Sequence, residues 1–263
     1  MDLGLRGKVA VVTASSRGIG KGIAKVLAEE GARVMLFARS EEELRKASDE
    51  IRKSTGGDVA YVVGDLTVAE DLDRLIKETK ELMGPIDILV FNAGSPKPGT
   101  FSELTPSDWD YAVKLLLMSA VWLTKGVVDD MAKRGWGRLI YVTSFTLRQP
   151  VPNLVLSNVV RLSLAGLVKS LAIEYGPRGI TANGIMQGYI LTDRVMQLAK
   201  DEASRLNTTI DQVLKNWSSQ IPVGRYGRPE EIGYLVAFLA SDKASYINGS
   251  MILIDGGLVR CVF

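Results

Sequence analysis

Seven short apolar runs, separated by stretches of helical periodicity, constrain the fold of this 263-residue chain most strongly. The runs are rich in Val and Ile and apolar throughout, which is typical of strands covered on both faces. They predict strands at Val9–Val12, Arg33–Phe37, Val59–Val63, Ile86–Phe91, Arg138–Thr143, Thr181–Ile185 and Met251–Ile254. Strand–helix alternation over short links predicts one α/β domain across residues 1–263, with a doubly wound parallel sheet and helices on both faces.

Helix boundaries are marked by capping signals. Glu43 follows Ser40, and Glu70 follows Thr67, at the spacing of a capping box, whereas proline directly follows Thr105 and Arg228. Helices are therefore predicted to begin after Ser40, Thr67, Thr105 and Arg228. Gly31 is predicted to lie just beyond a helix end.

The segment 190–220 interrupts this alternation with two amphipathic stretches, roughly Thr192–Ala203 and Ile210–Ser218. Ligands of parallel α/β sheets lie beyond the carboxyl ends of the strands, and this segment leaves from such an end. We predict a helical lid over the substrate. A surface insertion or a subunit contact is the alternative.

Composition excludes several classes of partner. The 32 basic and 30 acidic residues are well mixed, so nothing favours nucleic acid or an anionic membrane surface. Met1–Arg6 lack a signal core, and apolar runs such as Tyr234–Ala240 are too short to span a bilayer. Cys261 is the only cysteine, which excludes an internal disulfide and is consistent with a reducing compartment. We expect a cytoplasmic protein that acts on a small molecule.

The chain contains no histidine. Its absence excludes Ser-His and Cys-His nucleophilic machinery and removes the commonest metal ligand, so no metal site is expected. Any proton transfer must use Tyr, Ser, Lys, Asp or Glu side chains, cofactor hydroxyls or water.

The segment from Lys8 to Gly20 predicts an anion site. An apolar strand is followed by a turn of small residues and then by a helical pattern. The first N–H groups of a helix have no internal partner, and the helix dipole adds positive charge. Gly18 and Gly20 let a phosphate approach the backbone. An ordinary strand-to-helix turn that uses glycine to relieve crowding is the alternative.

The loop after the second predicted strand bears on cofactor choice. Sites selective for NAD place an acid there to accept hydrogen bonds from the ribose hydroxyls, whereas this chain has Ala38-Arg39-Ser40. Arg39 and Arg17 could flank a 2′-phosphate, because guanidinium binds phosphate well. We therefore expect NADP(H) in preference to NAD(H). A solvated surface arginine is the alternative for Arg39.

Several motifs occur at corresponding places along the chain. They are Thr13–Gly20, Asp65, Asn92-Ala93-Gly94, Asn183, Gly188, Thr192, Gly224–Glu231, Phe238–Asp242 and Asp255-Gly256-Gly257. In residues and spacing they resemble the short-chain dehydrogenase/reductase family, and in particular the 3-oxoacyl-acyl-carrier-protein reductases. The resemblance covers essentially the whole chain. It implies a Rossmann-type sheet of seven strands, NAD(P)(H), and hydride transfer at a carbonyl or alcohol carbon.

Carried over residue by residue, the resemblance implies a set of cofactor-binding positions. They are Thr13, Ser15, Ser16, Arg17, Gly18, Ile19, Gly20, Arg39, Ser40, Asp65, Leu66, Asn92, Ala93, Gly94, Arg161, Gly188, Ile190 and Thr192. Two positions depart from the family pattern in these loops. Ala14 replaces the first glycine of the turn, a mild change if its φ is negative. Gln187-Gly188 stands where the family has Pro-Gly.

Larger departures fall on the catalytic positions. The family uses Asn, Ser, Tyr and Lys, with Tyr thirteen residues after Ser and Lys four after Tyr. Anchored on Ser144, these positions carry Ser157 and Arg161, and the Asn position falls on Leu116. A serine hydroxyl is a far weaker acid than a phenol, and Arg161 stays charged and cannot relay a proton. Arg161 can still bind the nicotinamide ribose or a substrate anion, on the same helix face as Ser157.

Three interpretations remain open. The first is an oxidoreductase in which Ser144, Ser157 and Arg161 polarise the substrate, with a proton from water or from another residue such as Tyr189. The second is a cofactor-binding pseudoenzyme that acts as a sensor or structural partner. The third is an enzyme of another class. A substrate anion paired with Arg161 or Arg148 would fit the first and the third, although Tyr189 could be a packing aromatic and Arg148 a solvated side chain.

The helices predicted around Thr105–Arg134 and Val155–Gly176 carry more apolar residues than one buried stripe needs. The family pairs these helices across a subunit interface. We therefore expect a homotetramer, or failing that a dimer. Two well-buried helices in a monomer are the alternative.

Overall fold

The computed structural model describes residues 2–262, apart from the side chain of Arg194. Seven parallel strands form one sheet, as predicted. They are β1 (Val9–Thr13), β2 (Arg33–Ala38), β3 (Val59–Val63), β4 (Ile88–Phe91), β5 (Gly137–Val142), β6 (Ile180–Gln187) and β7 (Met251–Ile254). The strand after Gly179 is longer than predicted, because its last residues pair with β7.

The order of the strands in the sheet is β3-β2-β1-β4-β5-β6-β7. The chain winds outward from β1 in one direction and, after β3, returns to place β4 on the other side of β1. The loops that follow β1 and β4 therefore diverge at the carboxyl edge. Such a switch point is where open α/β sheets bind ligands.

Ten α-helices connect and cover the strands in the described part of the chain. They are α1 (Gly18–Glu29), α2 (Glu41–Thr55), α3 (Ala69–Met83), α4 (Pro106–Val113), α5 (Ser119–Arg134), α6 (Val155–Val160), α7 (Leu162–Tyr175), α8 (Asp193–Leu206), α9 (Ile210–Ser218) and α10 (Pro229–Ala240). A π-helical turn, Lys114–Met118, joins α4 to α5.

Three of the four predicted helix starts are confirmed. The Ser40 hydroxyl accepts a hydrogen bond from the Glu43 N–H, and both α4 and α10 begin at a proline. The prediction for Thr67 is wrong. Helix α3 begins at Ala69, because the Thr67 hydroxyl donates to the Asp65 carboxylate at 2.8 Å instead of capping the helix.

Two apolar layers hold the helices on the sheet. One face is covered by α1, α2 and α10 through residues such as Leu27, Ile51 and Val236. The other is covered by α3, α5 and α7 through residues such as Leu75 and Leu123. Both clusters include strand residues buried on the corresponding face. The strands are apolar throughout because the doubly wound sheet is covered by helices on both of its faces.

Two helical stretches, Pro106–Arg134 and Val155–Arg178, are long and apolar enough to cross a membrane by length and composition alone. This corrects the expectation that apolar stretches are too short, since short apolar runs are joined here in continuous helices. Both stretches pack one side on the sheet through the second apolar layer. Their outer sides expose Trp122, Val159 and Leu162.

The segment 190–220 folds into α8 and α9, close to the predicted amphipathic stretches. The two helices share a small apolar cluster of their own, built on Ala199, Ala203 and Val213. This cluster is separate from the two layers on the sheet. The pair therefore packs as a local unit beside the carboxyl edge.

Candidate active site at the carboxyl edge of the sheet

A groove of about 1270 Å³ runs along the carboxyl edge of the sheet. A smaller cavity of about 110 Å³ adjoins it beside Ser144. The predicted site residues that line the groove are Ser16, Arg17, Gly18, Ile19, Arg39, Ser40, Asp65, Leu66, Asn92, Ala93, Gly94, Ser144, Arg161, Gly188, Ile190 and Thr192. Loops that are distant in sequence therefore meet in one continuous space.

The turn after β1 is shaped by glycine. Helix α1 begins at Gly18, whose φ of 56° lies in the left-handed region, and among the described residues no side chain caps its first turn. A Cβ at Gly20 would overlap the carbonyl oxygen of Ala14 and lie 2.8 Å from Ser15 Cα. The first N–H groups of the helix are thus left available to an anion at the groove.

Ala14 adopts a φ of 46°, so the negative φ that would make this replacement of glycine mild is not present. A non-glycine residue in the left-handed region places its Cβ near the following carbonyl. The turn therefore has the conformation that a glycine would adopt without strain, although an alanine occupies the position. The Asn92 side chain helps to hold this turn, because its Nδ2 donates to the Ala14 carbonyl at 3.2 Å.

Three predicted cofactor residues, Thr13, Ser15 and Gly20, do not line the groove. The Thr13 hydroxyl donates to the Asn92 carbonyl at 2.7 Å and accepts from the Asn92 N–H at 2.9 Å. The Ser15 hydroxyl donates to the Val12 carbonyl at 2.7 Å and accepts a backbone N–H of β2 at 3.0 Å. These side chains tie the ends of the central strands together and fix the turn from behind.

Charged side chains surround the end of β2. The Arg39 guanidinium lies 3.8 Å from the Asp65 carboxylate, and the Arg17 guanidinium lies 3.5 Å from the Glu43 carboxylate. Glu43 also accepts a hydrogen bond from the Ser16 hydroxyl. The loop after β2 has no acid of its own, and Glu43 was not among the predicted site residues. The Ser40 cap was the available signal, since it places Glu43 in the first turn of α2.

The chain after β6 closes the groove from the other side. Gly188 is required by packing, because a Cβ there would lie 2.6 Å from Asp255 Cβ. Ile190 is buried and forms a parallel bridge with Gly227. Thr192 precedes α8 and lies over Gly18. The predicted lid therefore begins directly above the glycine turn.

Ser144, Ser157 and Arg161 all line the small cavity. Ser144 follows β5, and its hydroxyl accepts the Thr146 N–H at 3.2 Å. Arg161 Nε donates to Ser157 Oγ at 3.2 Å, so the predicted shared helix face is confirmed. Arg161 Nη2 donates to the Gly94 carbonyl at 3.1 Å, which joins this cavity to the loop after β4.

Arg161 is only 6% exposed. Burial lowers the pKa of Arg161 to about 10, so the guanidinium remains charged at neutral pH. Across residues 2–262, no carboxylate lies within 4.0 Å of it. A buried cation whose partners are a hydroxyl and two carbonyls carries uncompensated charge at the cavity wall.

Other candidates from the sequence lie in different surroundings. Leu116 is fully buried in the π-helical turn and offers no polar atom. The Tyr189 ring packs against Phe145 and stacks on Trp217, and burial raises the pKa of its hydroxyl. Arg148 is exposed and lines neither the groove nor the cavity. These contacts favour the packing interpretation of Tyr189 and the solvated one of Arg148.

The cavity has walls that the sequence analysis missed, including Ser95, Lys97, Gln187 and Leu198. Lys97 Nζ lies 3.0 Å from the Asp108 carboxylate. Hydrogen bonds from the Thr105 backbone and from Lys97 lower the pKa of Asp108 to about 2. Nothing in the sequence pattern signals that these residues meet, because they lie on the loop after β4, at the end of β6 and on α8.

Comparisons with known proteins agree on the family. A family model described as enoyl-(acyl carrier protein) reductase matches residues 13–259. An uncharacterised oxidoreductase of Thermotoga maritima is 35% identical over 255 residues, which covers 97% of this chain and 98% of the relative. A 3-oxoacyl-(acyl-carrier-protein) reductase of Aquifex aeolicus is 33% identical over 258 residues, which covers 98% of this chain and 100% of the relative.

The fold has a solved counterpart of the same extent. The crystal structure of L-sorbose reductase from Gluconobacter frateurii, complexed with NADPH and L-sorbose, matches with a TM-score of 0.95. The two chains are 34% identical, and the match covers 100% of each. Together with the glycine turn and the sheet order, these matches show that the chain belongs to the short-chain dehydrogenase/reductase family.

Proposed function

We propose that this protein is an NADP(H)-dependent oxidoreductase that acts on a carbonyl or hydroxyl group of a small molecule. The observation that carries the proposal is the continuous groove from the Gly18–Gly20 turn to the cavity at Ser144, Ser157 and Arg161. The crystal structure of the related L-sorbose reductase contains NADPH, which supports the same cofactor here. Bound in this groove, NADPH would supply the hydride.

The residues present fit such a cofactor. The open N–H groups at the start of α1 suit a pyrophosphate, and glycine leaves the room that a side chain would fill. Arg39 and Arg17 are exposed by 75% and 67%, so their ion pairs with Asp65 and Glu43 hold them only weakly. Both guanidinium groups can turn to a 2′-phosphate, which supports NADP(H) over NAD(H).

At the other end of the groove, two hydroxyl groups can bind the substrate oxygen. Ser157 Oγ accepts from Arg161 Nε, and Ser144 Oγ accepts from the Thr146 N–H. Each hydroxyl hydrogen is therefore left to donate toward the cavity. Such donors stabilise the negative charge that develops on a carbonyl oxygen during reduction. In this proposal Ser157 and Arg161 replace the Tyr and Lys of the family, and water delivers the proton.

The test measures binding and turnover in parallel. NADPH and NADH are titrated by calorimetry, and NADPH oxidation is followed against a panel of ketones, aldehydes and oxo acids. We expect tighter binding of NADPH and slow turnover on part of the panel. NADPH binding with no turnover on any compound would instead support the pseudoenzyme. Failure to bind either coenzyme would overturn the cofactor assignment.

A double variant tests the proposed Ser/Arg substitution. Restoring a phenol and an ammonium with Ser157→Tyr and Arg161→Lys is expected to raise reductase activity about 100-fold or more, since a positioned general acid contributes roughly 10²–10⁴ in rate. The single variant Ser157→Tyr is the control. Unchanged turnover in the double variant, with NADPH binding retained, would contradict the proposed loss of the proton relay.

We also propose a cytoplasmic homo-oligomer, a tetramer or a dimer. The apolar outer sides of α5, α6 and α7 expose Trp122, Val159 and Leu162. Exposed apolar side chains mark an interaction site where they form a contiguous patch, as this proposal requires. Light scattering of the purified protein tests the assembly, and a monomer at micromolar concentration would contradict it.

A further inference from the structure

Among the side chains that the structure describes, two arginines are deeply buried, and an acid neutralises one of them. Arg138 is 3% exposed, stacks on the Trp136 ring and pairs with Asp242 at 3.0 Å. Arg161 is 6% exposed and has no acid within 4.0 Å among residues 2–262. Arg138 lies at the start of β5 away from the groove, whereas Arg161 lines the small cavity.

The partners of Arg161 leave part of the guanidinium free. Nε donates to Ser157 Oγ, and Nη2 donates to the carbonyls of Gly94 and Ala93 at 3.1 and 3.4 Å. Within the described residues, Nη1 has no hydrogen-bond acceptor, and it is not sealed from the cavity. A buried cation is costly unless it is paired, so this one lacks the anion that would compensate it.

We propose that the small cavity binds the carboxylate of a small oxo acid, or of the corresponding hydroxy acid, against Arg161. This inference rests on the proposed oxidoreductase function, because it names the substrate class of the same site. The planar guanidinium matches the two oxygens of a carboxylate, and Nη1 supplies the free donor. The substrate carbonyl would then lie toward Ser144, where the cavity opens into the groove.

The size and charge of the cavity favour a carboxylate over a phosphate. A cavity of about 110 Å³ is somewhat smaller than one that holds benzene, which needs roughly 150 Å³. Lys97, the other cation on the wall, is already paired with Asp108. Among the side chains that the structure describes, one free cation therefore remains on the wall. It suits a monoanion, whereas a phosphate carries more than one negative charge near neutral pH.

The reaction leaves the carboxylate unchanged. In the reducing direction, hydride from NADPH forms a C–H bond at the carbonyl carbon, and the π electron pair of the C=O bond moves to oxygen. The oxygen takes a proton from water, and NADP⁺ and hydroxide are released. Ser144 and Ser157 donate hydrogen bonds to the reacting oxygen of the substrate. Arg161 holds the substrate by its carboxylate, which takes no part in the reaction.

The first experiment compares charged and neutral ligands of equal size on the unmodified protein. The NADPH complex is titrated with butanoate and with butanamide by calorimetry. We expect butanoate to bind at least about tenfold more tightly, since a charge-assisted hydrogen bond is roughly twice as strong as a neutral one. NADPH oxidation should likewise favour 2-oxobutanoate over its methyl ester. Equal binding of butanoate and butanamide would overturn the proposal.

The second experiment assigns the effect to Arg161. Arg161→Gln should weaken butanoate at least about tenfold, and Arg161→Lys should retain part of the preference because it keeps the charge. Arg148→Gln removes the same charge from a nearby exposed position and should leave butanoate binding unchanged. NADPH titration of each variant shows that the groove is folded.

The outcomes distinguish failure of this inference from failure of the proposed oxidoreductase function on which it rests. NADPH binding and turnover on neutral ketones, with no preference for carboxylates, would overturn only the substrate class. Failure of the unmodified protein to bind NADPH would overturn the proposed function itself. Should Arg161→Gln lose NADPH affinity while the unmodified protein ignores the charge of butanoate, Arg161 serves the nicotinamide ribose and the proposal is wrong.

Discussion

The two ends of the groove are built from different parts of the chain. The end at Gly18 and Gly20 is made of backbone, with open N–H groups and, at Gly20, no room for a Cβ. The end at Ser157 and Arg161 is made of side chains on α6 and the residue that follows it. A backbone site depends on conformation and empty space, whereas a side-chain site depends on which residues occupy fixed positions.

This difference explains which end can vary. An atom added at Gly20 collides with main chain that is held in place, because Thr13 and Ser15 tie it to neighbouring strands. At the other end, the residue types at positions 157 and 161 can change while the helix that carries them stays in place. The chemistry of the groove can therefore diverge while its cofactor end is retained.

The largest effect is expected at the backbone end. In Gly20→Ala the new methyl would overlap the Ala14 carbonyl oxygen. We expect NADPH affinity to fall by at least about 100-fold, since two or more phosphate hydrogen bonds worth roughly 1.5–3 kcal/mol each are displaced. The free energy of unfolding should fall by about 1–3 kcal/mol. Calorimetry with NADPH and thermal unfolding measure the two effects.

Gly22→Ala is the matched control, two residues further along the same helix and on a different face of it. Its Cβ would overlap Pro229 Cβ on α10 and lie 2.8 Å from the Pro229 carbonyl carbon, away from the groove. It should lower stability by a similar amount, about 1–3 kcal/mol, and leave NADPH affinity nearly unchanged. Equal losses of NADPH affinity in both variants would show that the turn is not a specific phosphate site.

A side-chain effect of intermediate size is expected at the adenosine end. Arg39→Ala removes an exposed guanidinium that lines the groove and lies 3.8 Å from Asp65. NADPH affinity should fall about tenfold, or about 1.4 kcal/mol, through loss of one charge-assisted contact to the 2′-phosphate. NADH affinity, measured in the same titration series, should stay the same.

Glu43→Gln is expected to change NADPH affinity in the direction opposite to Arg39→Ala. The Glu43 carboxylate pairs with Arg17 and accepts from Ser16, so neutralising it should release Arg17 toward a phosphate. We expect NADPH affinity to rise. Weaker NADH binding with no change in NADPH affinity would mean instead that Glu43 accepts from the ribose hydroxyls, and the preference for NADP(H) would be wrong.

The same division decides what the sequence could reveal. The apolar strands, the Gly18–Gly20 turn and the caps at Ser40 and Thr105 are local signals, and each predicted its element within a few residues. The prediction at Thr67 failed because a neighbouring carboxylate competed for the hydroxyl. Local patterns report backbone geometry well, and they fail where a nearby side chain offers another partner.

The site was predictable only where a motif carries it. The family's catalytic spacing, carried over by resemblance and anchored on Ser144, grouped Ser144, Ser157 and Arg161, and the structure joins them around one cavity. Spacing could not reveal that Arg161 is buried without an acid, since that follows from everything that packs around it. Lys97 was missed for the same reason, whereas the Ser40 cap could have pointed to Glu43. Burial and charge balance are properties of the folded chain, and they identify what the cavity lacks.

The smallest effect probes strain within the backbone end. Ala14 has a φ of 46°, which costs a non-glycine residue about 1–2 kcal/mol, whereas glycine gives back roughly 0.4–1 kcal/mol through its freer unfolded chain. Ala14→Gly should therefore stabilise the protein by about 0.5–1 kcal/mol, or roughly 1–4 °C in Tm. Ala38→Gly, at the end of β2 with an ordinary φ, is the control and should lower Tm. A lower Tm for Ala14→Gly as well would show that the turn is unstrained, and that side-chain contacts help to set its conformation.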